Sequence, residues 1–406
     1  MSDGKQGDRQ LPIVSNEIYL AIFDHLEPSK DSDSTELAEY KATMSSLALV
    51  CRFFCAESLP RIFNRMEFSG LKHGTTTPSY STFCRQLVAG EPTACYLGQH
   101  VKVCALTDWM MAADSSQWAF VHFLKLYVKA IPRLTNLKVL HFHQIPLELN
   151  ILSSLKDLKQ LETLSISLCE FGTSFKASPQ PSVSLSIKHF DFFDSREDLI
   201  FEPLSQLVSS PSLQILRTDN WAFSKSIMRQ PVQFYIKVMH TPLDVADITT
   251  WEQFLEATPS ITELCVARLV YPHSYIQMPS PLLAQRKNLL PSLNILKGPT
   301  CLITELVPGR PLTDVQIDPF TCRDYMDALT DATRNENRTF AALEGTTALM
   351  TTLRVPADVY LCRPLDQAFP HLDILTLDMT SLVSVESGRN DVRNTFSPCQ
   401  DVLTLV

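Results

Sequence analysis

Pro132-Arg133-Leu134-Thr135-Asn136-Leu137-Lys138-Val139-Leu140-His141-Phe142-His143 decides how this chain is read. A proline is followed by leucines two and five positions on, and then by strict alternation of apolar and polar residues. The phrase returns as Pro211-Ser212-Leu213-Gln214-Ile215-Leu216, Pro259-Ser260-Ile261-Thr262-Glu263-Leu264, Pro291-Ser292-Leu293-Asn294-Ile295-Leu296 and Pro370-His371-Leu372-Asp373-Ile374-Leu375. Lys159-Gln160-Leu161-Glu162-Thr163-Leu164 is a copy with lysine in the proline slot. The first apolar slots fall at 134, 161, 213, 261, 293 and 372; the gaps 27, 52 and 79 are close to one, two and three times 26 residues, 48 is nearly twice 24, and 32 is irregular. Weaker candidates for the missing copies are Ile187-Lys188-His189-Phe190, Phe234-Tyr235-Ile236-Lys237-Val238 and Leu312-Thr313-Asp314-Val315-Gln316-Ile317.

Amphipathic helical stretches precede most copies: Ala119 to Ala130, Leu147 to Leu158, Asp198 to Val208 and Thr250 to Ala257. Proline ends each helix because it cannot continue the hydrogen-bond ladder. The alternating tail then forms a short strand. A strand and a helix recurring at this period, with the L-x-x-L-x-L rhythm, carry the leucine-rich-repeat signature, and stacked units bury a core that no single unit can. The expected class is α/β, an irregular leucine-rich-repeat-like solenoid with a parallel strand face. The alternative is an ordinary α/β domain with coincidental leucines.

Residues between the apolar positions of each strand point away from the core. On this register the concave strand face carries His141, His143, Ser165, Ser167, Arg217, Asp219, Lys297, Thr376 and Asp378. His141, His143, Ser165, Arg217, Asp219, Thr376 and Asp378 are the candidate target-binding residues. His141 and His143 share a side, but no third metal ligand can be assigned beside them, so no metal site is expected.

Composition narrows the function. The 406 residues carry 35 Lys+Arg against 44 Asp+Glu, a formal charge of −9, which argues against a general nucleic-acid binder. Hydrophobic residues make up 45%, enough for a sizeable core. No apolar run reaches the roughly 18 residues that span a bilayer, and Met1 to Gln6 is polar, so the expected location is intracellular, cytoplasm or nucleus. Glycine is scarce at 11 residues, and no G-x-G-x-x-G or Walker-type loop occurs. The 11 cysteines form no C-x-x-C pair and read as reduced thiols. No G-x-S-x-G or H-E-x-x-H is present. A non-enzyme without cofactor is expected. Trp109, Trp118, Trp221 and Trp251 are read as core.

Residues 11 to 65 differ from the rest. Ser15 and Asn16 are good N-caps for a helix to about Leu26, with Ile18, Ile22 and Leu26 on one stripe and Tyr19 and Phe23 beside it. A polar loop follows through Ser34, and part of Thr35 to Thr43 can add a helical turn. A second helix is expected from Met44, Leu47, Cys51 and Phe54, with Leu49, Val50 and Phe53 alongside, and a third short piece at Leu59 to Phe63. These helices are apolar over more than one face. The spare face either packs on the rest of the chain or enters a partner's groove.

Val14-Ser15-Asn16-Glu17-Ile18, Ile22-Phe23-Asp24-His25-Leu26 and Leu47-Ala48-Leu49-Val50-Cys51-Arg52-Phe53-Phe54 together resemble an F-box, with roughly L-P-x-E-I-x-x-x-I-F-x-H-L, a spacer and L-x-L-V-C-R-x-F as its pattern. Leu59 to Phe68 resembles the form found in F-box proteins of mushroom-forming fungi, as does Lys297-Gly298-Pro299 with Leu306-Val307-Pro308-Gly309-Arg310-Pro311-Leu312. Two departures stand out: Val14-Ser15 occupies the Leu-Pro slot, and the spacer is long and acidic. The resemblance implies a substrate-receptor subunit of an SCF-type ubiquitin ligase. Its F-box would dock on a Skp-type adaptor, and through it on a cullin and a RING subunit, while the repeats hold a target protein. The implied adaptor-binding residues are Ile18, Ile22, Leu26, Leu47, Val50, Cys51 and Phe54. The alternative is a leucine-rich-repeat scaffold unrelated to ubiquitin, its helical module serving as an end cap. An unrecognised hydrolase is the third option. The expected domains are a flexible tail at 1–10, the F-box at 11–68, a connecting segment and repeat cap at 69–118, and the repeat domain at 119–406.

Overall fold

The structure, a computed structural model, describes residues 15–28, 34–70, 80–110, 117–172, 184–194, 201–266, 269–270, 289–318, 339–356, 368–378 and 402–405. The 1–10 tail, Val14, most of the spacer and the side chain of Trp118 lie outside the described residues.

Three helices open the chain: α1 (Asn16–Leu26), α2 (Ser34–Ala48) and α3 (Arg52–Asn64). The expected second helix through Met44 to Phe54 is corrected here. The α2 helix begins ten residues earlier, because Ser34 to Thr43 is helical throughout. It stops before Leu49 and Val50, where both backbone amides close tight turns onto Ser46 and Leu47. Phe53 and Phe54 then begin α3, which also absorbs the expected third piece and tolerates Pro60 in its interior. The small interior is aromatic. Phe54 meets Tyr19 edge-on at 5.2 Å and Phe23 at 5.7 Å, and Met44 is fully buried. Arg61 fastens α1 to α3 by pairing with Asp24 at 2.6 Å while lying over the Phe23 ring.

The remaining chain winds strand by strand. The strands are β1 (Arg65–Ser69), β2 (Val103–Thr107), β3 (Val139–His143), β4 (Pro146–Leu147), β5 (Thr163–Ser167), β6 (Glu170–Phe171), β7 (His189–Phe193), β8 (Ile215–Thr218) and β9 (Val238–His240). They continue as β10 (Leu243–Asp244), β11 (Glu263–Cys265), β12 (Leu269–Val270), β13 (Ile295–Pro299), β14 (Asp314–Asp318), β15 (Thr352–Pro356), β16 (Ile374–Asp378) and β17 (Val402–Leu405). Thirteen of them form one sheet in the order β1-β2-β3-β5-β7-β8-β9-β11-β13-β14-β15-β16-β17. Every neighbour pair is parallel except β16 with β17. An unbroken sequential order of parallel strands, joined by helices on one side, is a leucine-rich-repeat-like solenoid.

The repeat phrase positions its strands as read. Leu134, Leu161, Leu213, Ile261 and Leu293 are all buried, and a strand follows each. The three weak candidates are the strands β7, β9 and β14. Helices Gln117–Ala130, Glu202–Val208 and Ile248–Ala257 fall within or across the expected stretches, while the expected Leu147–Leu158 helix is shortened to Leu149–Ser154 followed by a 3-10 turn. The sheet itself begins at Arg65, so its first two strands lie inside the segments assigned to the F-box and to the connecting region. In the core, Phe68 stacks on Tyr127 at 4.4 Å, and Phe192 packs on Phe201 and Phe223. Trp109, Trp221 and Trp251 are buried, as expected.

Two local features explain residues whose role the sequence does not disclose. Gly70 follows β1 where the chain passes the next repeat, and a Cβ there would lie 2.5 Å from the Asp108 carbonyl oxygen. Arg310 is a buried arginine that donates to three carbonyls, those of Leu289, Leu306 and Pro308, and so ties the helix Thr300–Leu306 to the turn before β14. Burial lowers its pKa to about 10.

Candidate functional site

Two surfaces stand out, one apolar and one polar. The apolar surface belongs to the N-terminal helices. Ile18 (52% exposed), Ile22 (50%) and Leu26 line one side of α1, four residues apart, and none packs into the interior. Leu49 (89%) and Val50 (63%) project from the turn between α2 and α3, with Cys51 exposed beside them. Tyr19 and Phe53 approach to 6.2 Å, which brings the start of α1 within a few residues of that turn. The spare apolar face of this module is therefore open to solvent rather than packed on the solenoid. Leu47 is half-buried, and Phe54 belongs to the aromatic interior, so of the seven expected docking residues Phe54 acts through the fold of the module. Leu49, the most exposed apolar side chain here, was read as flanking; its place in the turn was hidden by treating 44–54 as one helix.

The polar surface is the open face of the sheet. Strand registers place Glu67, Ala105, His141, Ser165, Asp191, Arg217, His240, Cys265, Lys297, Gln316, Arg354 and Thr376 in one row across it. Four expected target-binding residues, His141, Ser165, Arg217 and Thr376, lie in this row. His143 sits one row on, its Nδ1 2.8 Å from Ser167 Oγ. Asp219 lies just past β8, where it accepts the backbone N–H of Asp194 at 2.8 Å. Asp378 is corrected: it is buried at the end of β16 and ion-paired with Arg354. The following antiparallel strand and the arginine cover the position that alternation assigned to solvent.

The face is divided along its length. From β2 to β5 it offers Ala105, Thr107, Thr163, Ser165 and Ser167 with two histidines. From β7 onward it is ionic. His189 pairs with Asp191 at 2.8 Å, and Glu263 accepts from His240 at 3.0 Å and lies 3.5 Å from Lys297. Burial pushes His141 and His240 below the ordinary imidazole range, with the Glu263 hydrogen bond opposing it at His240. Burial pushes Glu263 up, but His240 and Lys297 together outweigh it and hold the carboxyl low. Burial raises Asp314 and Asp318, and raises the Cys265 thiol to about 11. The ionic half contains Asp191, His240, Glu263, Asp314, Asp318 and Arg354, none of which was picked out from the sequence. Asp314 falls inside the weak copy 312–317, and continuing the alternation past the ends of 187–190, 234–238 and 312–317 reaches Asp191, His240 and Asp318, while Glu263 lies within the phrase Pro259 to Leu264. Arg354 needed the Leu353/Val355 alternation of a copy lacking the proline phrase.

Among the described residues no group of three or more His, Cys, Asp or Glu is placed to hold a metal, and no helix is long and apolar enough to cross a membrane. The described cysteines are free thiols.

No family model and no curated protein matches the chain, so the F-box resemblance rests on the residues themselves. Among solved structures, the chain is similar to an internalin (inlF) from Listeria monocytogenes, at 12% identity over 82% of this chain and 90% of that one, TM-score 0.33. It is similar to human 5T4 (trophoblast glycoprotein), at 13% identity over 71% and 76%, TM-score 0.28. It is also similar to TLR13, solved in complex with the single-stranded RNA ssRNA13, at 13% identity over 78% and 55%, TM-score 0.31. With superposition this loose, the solenoid assignment stands on the chain's own strand order.

Proposed function

We propose that this protein is a substrate-receptor subunit of an SCF-type ubiquitin ligase, in which the N-terminal helices dock on a Skp-type adaptor and the open strand face holds a target protein. The observation that carries the reading is the uncovered apolar strip of α1, Ile18, Ile22 and Leu26, joined by Leu49 and Val50. Exposed apolar side chains at helical spacing are what a partner groove takes. The adaptor would connect the chain to a cullin and a RING subunit. Such a receptor is not an enzyme: it raises the effective concentration of target lysines near the charged conjugating enzyme and contributes no reacting group. The negative net charge and the carboxylates of the open face favour a protein target over nucleic acid.

The test is titration of the full chain with a Skp-type adaptor. Wild type binds. Ile22→Asp with Val50→Asp abolishes binding, because each aspartate would be buried unpaired at the contact. Equal binding by the folded double variant, or none by wild type, rejects the adaptor assignment.

A second reading, a repeat scaffold with no link to ubiquitin, draws on a different observation. The α3 helix runs directly into β1, and Lys41 Nζ of α2 donates to the Arg65 carbonyl at 2.8 Å, as in a module that caps the first strand. Absence of adaptor binding together with intact target capture favours it.

A further inference from the structure

In the ionic half of the open face, one half-buried cation makes no ion pair among the described residues. Arg217 sits at the centre of the sheet, half-buried on β8, between Asp191 on β7 and His240 on β9. Its register partner Asp191 is committed to His189 at 2.8 Å. The next carboxylate, Glu263, serves His240 and Lys297. Arg354, further along, is paired with Asp378. Arg217 makes no ion pair or hydrogen bond among the described residues, and its Nε is buried without an acceptor. A guanidinium held in this state is a standing demand for an acceptor of planar, bidentate geometry.

We propose that Arg217 is the anchor for a single carboxylate carried by an extended peptide segment of the target. The inference rests on the reading of the open face as the target-binding surface. A carboxylate fits for three reasons. It matches the guanidinium fork and completes the unsatisfied Nε donor. As a monoanion it tolerates the surroundings, whereas a dianionic phosphate would be set among Asp191, Asp219 and Glu263. A run of acidic residues is also disfavoured, because the face continues toward Asp314 and Asp318, whose neighbouring cations, Lys297 and Arg354, are already shared with Glu263 and Asp378. Beside Arg217, the Nε2 of His240 is taken up by Glu263, and burial disfavours protonation of the ring.

The test uses the full chain and positional-scanning pools of ten-residue peptides, N-acetylated and C-amidated. Each pool has one position fixed as Asp, Glu, phosphoserine, Lys or Gln, and a parallel set ends in a free carboxylate. The expected result is selection of Asp or Glu in the amidated set, or of the free C-terminus in the other; the two arms identify which carboxylate is used. Arg217→Gln then loses the selection and about tenfold or more in affinity, while Arg217→Lys keeps part of both. Selection of phosphoserine over Glu, selection of Lys, or acidic selection that survives in Arg217→Gln overturns the proposal and leaves the open face standing as a receptor surface. Capture of no peptide overturns both. A glutamine variant that fails to fold also overturns it, because the arginine would then have a structural partner.

Discussion

Arg354 Nη2 donates to Asp378 Oδ2 at 3.0 Å along a diagonal, since the residue directly opposite Arg354 on β16 is Thr376. The carboxylate is 8% exposed and the guanidinium 28%. Removing the arginine takes this cation away from a nearly buried charge. Arg354→Ala should lower stability by about 1–3 kcal/mol, a range reduced for the arginine's partial exposure. Urea unfolding measures it, and an unchanged midpoint would contradict the pairing. Charge reversal at Asp378 likewise reports on folding of the last repeats rather than on target capture.

The N-terminal module separates surface from interior residue by residue. Ile22→Asp with Val50→Asp should change stability by less than about 0.5 kcal/mol per site, because both side chains are open to solvent. Phe54→Ala should cost about 2–4 kcal/mol, since its ring fills the space between Tyr19 and Phe23. Thermal melts distinguish the two. A double variant as unstable as Phe54→Ala would place the strip inside the fold.

Acidification should weaken the middle of the solenoid in two stages. The His240 pKa is lowered in the fold from an ordinary 6.5, so the unfolded chain takes up its proton first. The associated stability is present above 6.5 and lost as pH falls toward the lowered value. The Glu263 pKa is lowered from 4.5, so its contribution is present above 4.5 and lost as pH falls through its folded value. Asp314 and Asp318, raised from 3.8, act in the opposite sense and blunt the second stage. Melting temperature against pH should therefore fall from pH 7 to 5 in the wild type and less steeply in His240→Gln. Parallel curves would show that His240 does not titrate differently in the fold.

Gly70 is fixed by proximity. In Gly70→Ala the new methyl would press on the Asp108 backbone, and the expected cost is about 1–3 kcal/mol. Gly90→Ala is the contrast: no atom lies within 4 Å, and only its φ of +80 at the end of the helix Ser81–Ala89 penalises a side chain, by about 1 kcal/mol. Chemical denaturation of the two variants compares them directly; equal small effects would mean that the first loop relaxes.

Much of this architecture was legible because its cause is local. Where the phrase occurs, two buried apolar residues and an alternating tail set the strand that follows, so even degraded copies such as Leu312 to Ile317 formed one. Early strands escaped for the converse reason. Arg65–Ser69 and Val103–Thr107 lack the proline phrase, and their strand identity comes from pairing with each other and with β3. The ionic half of the open face escaped because salt bridges join neighbouring strands: Glu263 and His240 are remote in sequence order yet side by side in the sheet. Arg310 was visible but unassigned, since its partners are backbone carbonyls, which leave no trace in residue type.

The division of the open face gives ionic strength a positional meaning. Added salt shortens the reach of charge from about 8 Å at 0.15 M to about 3 Å at 1 M and leaves hydroxyl and apolar contacts largely untouched. A partner seated over Ala105, Thr163 and Ser165 would bind almost equally in dilute and concentrated salt. One seated from Asp191 to Arg354 would dissociate steadily as salt rises. The slope of affinity against salt thus acts as a ruler laid along the stack, telling from a bulk measurement which repeats a captured protein covers.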